Sequence, residues 1–285
     1  MKLESSFAHA AKQYRAIFFD AYGVLRNSSG VIAGVPGVLA RLKSEGIDAY
    51  IITNDASKSP DMMQKYYVHP ELGELFAIEK IVSSGMLASE FLSAKVAPGG
   101  KVAYLGKPAS AYYVHQAGLE AVPVDEFSST NPEEIRALVW LDDEGFDWFT
   151  GLNQTLNLLR KINIPVIIAN TDTSYPVKSG EVAVAVGGLA KMIEGLVGKT
   201  FIRFGKPDTQ IFSFAFARAL ESMPDLKKSE ILMIGDTLHT DILGANQFGI
   251  DTALVLSGNT QKEKARMQIR STGIIPTYLF DSILT

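Results

Sequence analysis

The 285-residue chain contains no cysteine, which excludes disulfides, thiolate zinc sites and a cysteine nucleophile. Histidine is scarce. The four present (His9, His69, His115 and His239) have no metal-type spacing, and His239 reads as a solvated loop residue. No long run of like charge appears among 27 basic and 31 acidic residues, and the formal net charge is −4. Nothing therefore recommends nucleic acid or an anionic membrane as partner. The longest apolar runs, such as "PVIIAN" and "ILMIG", fall far short of a bilayer span. The first stretch, "MKLESSFAHAAKQYRA", is too polar and acidic for a secretory signal, so a soluble, cytoplasmic protein is expected. The glycosylation-pattern matches "NSS" (27–29) and "NQT" (153–155) are then read as chance. No G-x-G-x-x-G follows a strand, which leaves nicotinamide and flavin cofactors unsupported. "GLVGKT" (195–200) has two residues where a phosphate loop needs four, and reads as a helix-ending turn.

What the chain does contain is short apolar runs alternating with helical patterns. The predicted strands are 16–20, 48–53, 80–84, 101–106, 137–142, 165–170, 201–205, 230–236 and 251–258. Several are apolar on successive residues rather than alternating, as strands covered on both faces of a parallel sheet are. Helices are predicted over "PGVLARLKSEG" (36–46), "TQIFSFAFARALES" (209–222) and "TDILGANQFG" (240–249). In the second, Ile211, Phe214, Ala215 and Arg218 share helical spacing. This alternation predicts an α/β fold with a doubly wound parallel-sheet core. The chemistry falls near residues 20–55 and 205–241, so the core is drawn from 1–88 plus 200–285. Residues 89–199 read as an inserted α/β module with its own strand–helix units.

Ligands of open α/β sheets sit outside the carboxyl ends of strands. Four such ends carry unusual chemistry: Asp20; Thr53 with Asn54 and Asp55; "GKP" with Lys206; and "GDTLHTD" with Asp236 and Asp241. Each alone is explained by a cap or a turn. Together they bring three carboxylates, a lysine and a hydroxyl to one sheet edge. Such a set makes an oxygen-only Mg²⁺ site, in which the cation screens a carboxylate from an anionic phosphoryl group. A carboxylate so placed can attack phosphorus and form an aspartyl-phosphate.

The order "DAYGVL", "IITN", "GKP", "GDTLHTD" resembles the four motifs of the haloacid dehalogenase superfamily. The stretches "ANTDTSYP" (169–176) and "GGLAKMIEGLVGK" (187–199) resemble the cap of its class IIA sugar- and nucleotide-phosphate phosphatases. The likeness runs from about residue 15 to "PTYLFDSI" near the end. It implies Asp20 as nucleophile and metal ligand, the main-chain carbonyl of Tyr22 as a second ligand, and Asp236 and Asp241 as metal carboxylates. It also implies Thr53 and Asn54 as phosphate-binding residues, Lys206 as the charge-balancing lysine, and Asn170 and Asp172 as substrate contacts in the cap. Residues 89–199 would then form a cap that excludes water and sets specificity. Mg²⁺ would be the cofactor and a small phosphorylated metabolite the substrate. The substrate's identity is left open, and so is the oligomeric state, a homo-oligomer being compatible.

One position departs from the pattern. The family's phosphatases carry a second aspartate two residues after the nucleophile, as acid and base; here that residue is Tyr22. A phenol with a solution pKa of about 10 is a poor base near neutral pH, and loss of such help slows a reaction by about 10²–10⁴. Three readings follow. The protein is a phosphatase, slowed or relying on another acid such as Asp55; it is a dehalogenase-like hydrolase whose leaving group needs no proton; or it binds ligand with little turnover. Asp142 and Asp143, in "LDDEGFD", are read as turn residues.

Overall fold

A computed structural model describes residues 6–129, 131–178 and 181–284. Eleven strands among them build two large sheets. In chain order these are β1 (Ala16–Phe19), β2 (Asp48–Thr53), β3 (Ile81–Ser83), β4 (Lys101–Leu105), β5 (Glu120–Pro123) and β6 (Ile135–Trp140), then β7 (Val166–Ile168), β8 (Ile202–Arg203), β9 (Ile231–Gly235), β10 (Asp251–Val255) and β11 (Tyr278–Phe280). The chain divides into two compact units. One comprises Met1–Thr53, Pro60–Val82 and Lys206–Thr285, the other Asn54–Ser59 and Ser83–Gly205.

The first unit holds a six-stranded sheet in the order β11-β10-β9-β1-β2-β3. β1 lies parallel to both β2 and β9, with Ala16 opposite Asp48 on one side and Ile231 on the other. All four residues of β1 are buried, because helices and loops cover both faces of the sheet. Phe19 meets the edge of Phe7 at 6.2 Å, and Phe7 meets Phe280 at 6.4 Å. Phe7 belongs to a short helix, Phe7–Ala11, that the sequence pattern does not announce. Ser6 caps it, its hydroxyl accepting from the N–H of His9. Burying a phenylalanine of this kind contributes about 1.5–3 kcal/mol, so Phe7 anchors the polar N-terminal stretch together with the buried Tyr14, whose hydroxyl donates to Asp251 Oδ2 at 2.6 Å.

Helix α1 (Val35–Ser44) carries Pro36 in its first turn, one residue earlier than predicted. Helix α2 (Thr209–Ser222) has the predicted bounds, but its buried face is Ile211, Phe212, Ala215 and Ala219. Phe214 and Arg218 face outward instead, with the guanidinium 5.1 Å from the ring centroid. The helix predicted over 240–249 is split. Leu238–Ile242 forms a π-helical turn, and α3 (Leu243–Phe248) follows, ending at Gly249 with φ of +88°. Wide turns of this kind reposition a side chain at functional sites, and here the repositioned residue is Asp241.

The second unit holds a five-stranded sheet, β8-β7-β6-β4-β5, with all its pairings parallel. The strand that precedes Lys206 in sequence, β8, pairs with β7 in this sheet. Trp140, Leu138, Ile168 and Leu158 fill its core. The helix Val186–Val197 ends on Gly198 at φ of +65°, the turn read from "GLVGKT". Among the described residues no helix is long and apolar enough to cross a membrane.

Candidate active site

In the first sheet the chain runs from β1 outward to β2 and β3, and later fills the other side with β9, β10 and β11. The reversal falls between β1 and β9, and a crevice outside the carboxyl ends of such strands is where open α/β sheets bind ligands. Asp20 ends β1, its N–H donating to the carbonyl of Ile234 at 2.8 Å. Asp236 follows β9 next door. Asp241 is folded back by the π-helical turn, its Oδ2 accepting from the N–H groups of Asp236 (3.1 Å) and Thr237 (3.0 Å). The three carboxylates offer oxygens that all lie within 4.8 Å of one another.

Lys206 is buried among them. Its ammonium donates to Asp20 Oδ1 and to the carbonyl of Ile52 (3.0 Å), and lies 2.7 Å from Asp241 Oδ1. That last contact is charge attraction without hydrogen-bond geometry. One ammonium faces three carboxylates, those of Asp236 and Asp241 buried and that of Asp20 partly so. Burial, with Asp241 and Asp236 adding to it, pushes the Asp20 carboxyl well above its usual range, although Lys206 opposes this. Burial and then the charge of Asp241 push Asp236 up to about 7. Burial works against charge on Lys206, but Asp20 and Asp241 outweigh it and raise its pKa. Three carboxylates against one ammonium leave a site that calls for further cationic charge.

Asp236 is the most constrained member. Its Oδ2 accepts from the N–H of Asn259 at 2.7 Å, and its Oδ1 from the hydroxyl of Thr237 at 2.8 Å. Its own carbonyl accepts from Thr260 Oγ1 at 2.6 Å. Ser257 ties the same loop to the carbonyl of Gly23 at 2.9 Å. Gly23, at φ of +87°, and Gly258 press on the carboxylate from two sides; a Cβ on either would fall 2.9 or 2.7 Å from Asp236 Cγ. This loop, "LSGNT" after β10, is the part of the site that sequence reasoning missed. Its sequence signal is a strand end made of small, uncharged residues, unlike the four strand ends that carry Asp20, Asp55, Lys206 and Asp236.

Thr53 closes β2 and is buried. Tyr22 lies in the turn after Asp20, half-buried, its backbone bridged to that of Arg26. Asn54 belongs to the second unit, where its side-chain amide donates to Asp172 Oδ1 (3.0 Å) and Thr171 Oγ1 (3.1 Å). Asn170 shapes the same loop, its Oδ1 accepting from the N–H of Asp172 at 3.0 Å. His239 is exposed. Asp142 is buried and fills a turn role, its Oδ1 accepting from the N–H of Glu144 at 3.4 Å. Burial pushes its carboxyl up to about 6, although Lys107, 3.8 Å away, opposes this.

A family model described as haloacid dehalogenase-like hydrolase matches residues 17–120, and a HAD-hydrolase-like model matches 203–284. The two matched segments contain Asp20 in the one and Lys206, Asp236 and Asp241 in the other. A solved structure from Cytophaga hutchinsonii, titled a possible sugar phosphatase of the HAD superfamily, superposes with a TM-score of 0.92 at 49% identity. The match covers 100% of this chain and 99% of that one. The chain belongs to the haloacid dehalogenase superfamily. Glycerol-3-phosphate phosphatase from Gallus gallus is 26% identical to this haloacid dehalogenase-like protein, covering 99% of this chain and 94% of its own. Acid sugar phosphatase from Staphylococcus saprophyticus is also 26% identical, over 95% of this chain and 96% of its own. The resemblance read from the order of the four motifs is therefore borne out, as is the α/β fold with parallel sheets.

Proposed function

We propose that this haloacid dehalogenase-like protein hydrolyses a small phosphomonoester, a sugar phosphate or a similarly polar metabolite, with Asp20 as nucleophile and Mg²⁺ as cofactor. The observation that carries the reading is the meeting of Asp20, Asp236 and Asp241 within 4.8 Å around one buried lysine at the sheet's switch point. An all-oxygen donor set with an excess of two negative charges fits a hard dication. Asp20, Asp236, Asp241 and the carbonyl of Tyr22 would hold it. Bound there, it would screen Asp20 from the incoming phosphoryl group.

Asp20 attacks phosphorus while the ester P–O bond breaks, and the departing alkoxide takes its proton from solvent water; a second water then attacks the acyl phosphate, giving its proton back to solvent and returning Asp20 and inorganic phosphate. Lys206 holds Asp20 in place and offsets charge, and Thr53 donates to a phosphoryl oxygen. The names of the relatives, each a phosphatase of a small phosphate ester, support this class. A tyrosine, Tyr22, stands where the family's phosphatases carry an acid and base, so turnover is slow for substrates with poor leaving groups. Incubation with p-nitrophenyl phosphate and Mg²⁺ should release p-nitrophenol, and Asp20→Asn should abolish it. Release that survives the substitution would remove Asp20 from the chemistry.

A further inference from the structure

Asp236 is steadied by a relay that begins on an exposed side chain. The side-chain amide of Asn259 donates to Thr237 Oγ1 at 3.1 Å, and the threonine hydroxyl in turn donates to Asp236 Oδ1 at 2.8 Å. The main-chain N–H of the same Asn259 donates to the other oxygen, Oδ2, at 2.7 Å. One residue therefore governs both ends of the carboxylate, directly at Oδ2 and through Thr237 at Oδ1. Each oxygen keeps a lone pair beyond the one engaged. Thr260 holds the loop in register through two bonds to the carbonyl of Asp236, from its hydroxyl at 2.6 Å and its N–H at 3.1 Å.

We propose that Asn259 and Thr237 are positioning residues for the divalent cation: Asn259 orients the Thr237 hydroxyl, and the hydroxyl fixes the rotation of the Asp236 carboxylate so that its free lone pairs face the metal. The proposal rests on the reading of Asp236 as a metal ligand. Its physical basis is general. A carboxylate free to rotate about its Cβ–Cγ bond must be ordered when metal binds, whereas one already fixed has that ordering built in. The relay also has a direction. Asn259 acts at Oδ1 only through Thr237, so the two side chains cannot contribute independently.

The test is calorimetric titration of the full-length protein with MgCl₂ alone, without substrate, comparing wild type with Asn259→Ala, Thr237→Val, Thr237→Ser and the Asn259→Ala/Thr237→Val pair. Removal of outer-shell partners typically weakens metal binding by about 10–100-fold. Thr237→Val is expected to weaken Mg²⁺ binding about tenfold, Asn259→Ala by severalfold, and Thr237→Ser, which keeps the hydroxyl, to bind as wild type does. In the Thr237→Val background Asn259→Ala should add nothing further. Asn259 is exposed, so its alanine variant reads the relay without disturbing the core. Equal Mg²⁺ affinity in wild type and Asn259→Ala would overturn the proposal, as would additive losses in the pair. Absence of Mg²⁺ binding by wild type would instead overturn the metal reading on which it rests.

Discussion

Gly258→Ala isolates the geometry of the carboxylate cluster better than any change to a charged residue. Gly258 carries no positive φ, so alanine introduces no backbone strain there, whereas Gly23→Ala would add about 1–2 kcal/mol from its left-handed conformation. The added Cβ of Gly258→Ala would fall 2.7 Å from Asp236 Cγ. Carbon atoms in contact sit about 3.5–4.0 Å apart and Asp236 Oδ2 would lie nearer still, so the carboxylate must retreat by at least about 1 Å. That retreat breaks the 2.7 Å bond from the N–H of Asn259 and moves Asp236 away from Asp20 and Asp241. Leaving a buried carboxylate oxygen without its donor costs about 1–3 kcal/mol. For a chain of this size each kilocalorie lowers the melting midpoint by about 2–4 °C. A misplacement of about 1 Å at a reacting centre lowers turnover about 10²-fold. The variant should therefore melt a few degrees lower, remain folded, and lose about two orders of magnitude in Mg²⁺-dependent p-nitrophenyl phosphate hydrolysis. The assay pairs thermal denaturation with steady-state kinetics across a Mg²⁺ series. Wild-type turnover at every Mg²⁺ concentration would refute the claim that Asp236 must stand where it does.

Lys206→Met should destabilise the metal-free protein by about 3 kcal/mol, because it leaves buried carboxylates without their counter-charge. Urea denaturation in EDTA checks this, added Mg²⁺ should recover part of the loss, and unchanged stability in EDTA would contradict the pairing. Tyr22→Asp should raise turnover of an alkyl phosphate about 10²-fold and that of p-nitrophenyl phosphate far less, since only the poor leaving group needs a proton. Equal or absent gains would mean that a missing acid does not limit the rate. Asp142 carries a pKa raised to about 6 in the folded state, so the native protein binds the extra proton between its unfolded value and pH 6. Its contribution to stability is thus present at low pH and lost as pH rises through about 6. The stability of Asp142→Asn relative to wild type should accordingly rise by about 1.4 kcal/mol between pH 5.0 and 7.5. Chemical denaturation at the two pH values measures it, and a constant difference would refute it.

Much of this was legible in the linear chain because it is local. A buried strand announces itself by consecutive apolar residues, as "AIFF" does, and a chemical group placed at its end is visible without knowing its neighbours. Asp20, Lys206, Asp236 and Asp241 could be picked out that way. The buried face of α2 could not, because Phe212 and Phe214 are equally apolar and only the packing decides which turns inward. Nor could the break at Leu238–Ile242, where the pull of two N–H groups on Asp241 overrides an ordinary helical pattern.

The order of residues alone determined the alternation of strand and helix, the absence of cysteine chemistry and the four charged strand ends, since each depends on neighbours in the chain. Tertiary structure alone decided that β8 pairs in the second sheet, that Asn54 donates to Asp172, and that glycines 23 and 258 close on one carboxylate. Those contacts join residues up to 213 positions apart, a separation across which no local preference acts; only burial, charge and shape in the folded chain can select them.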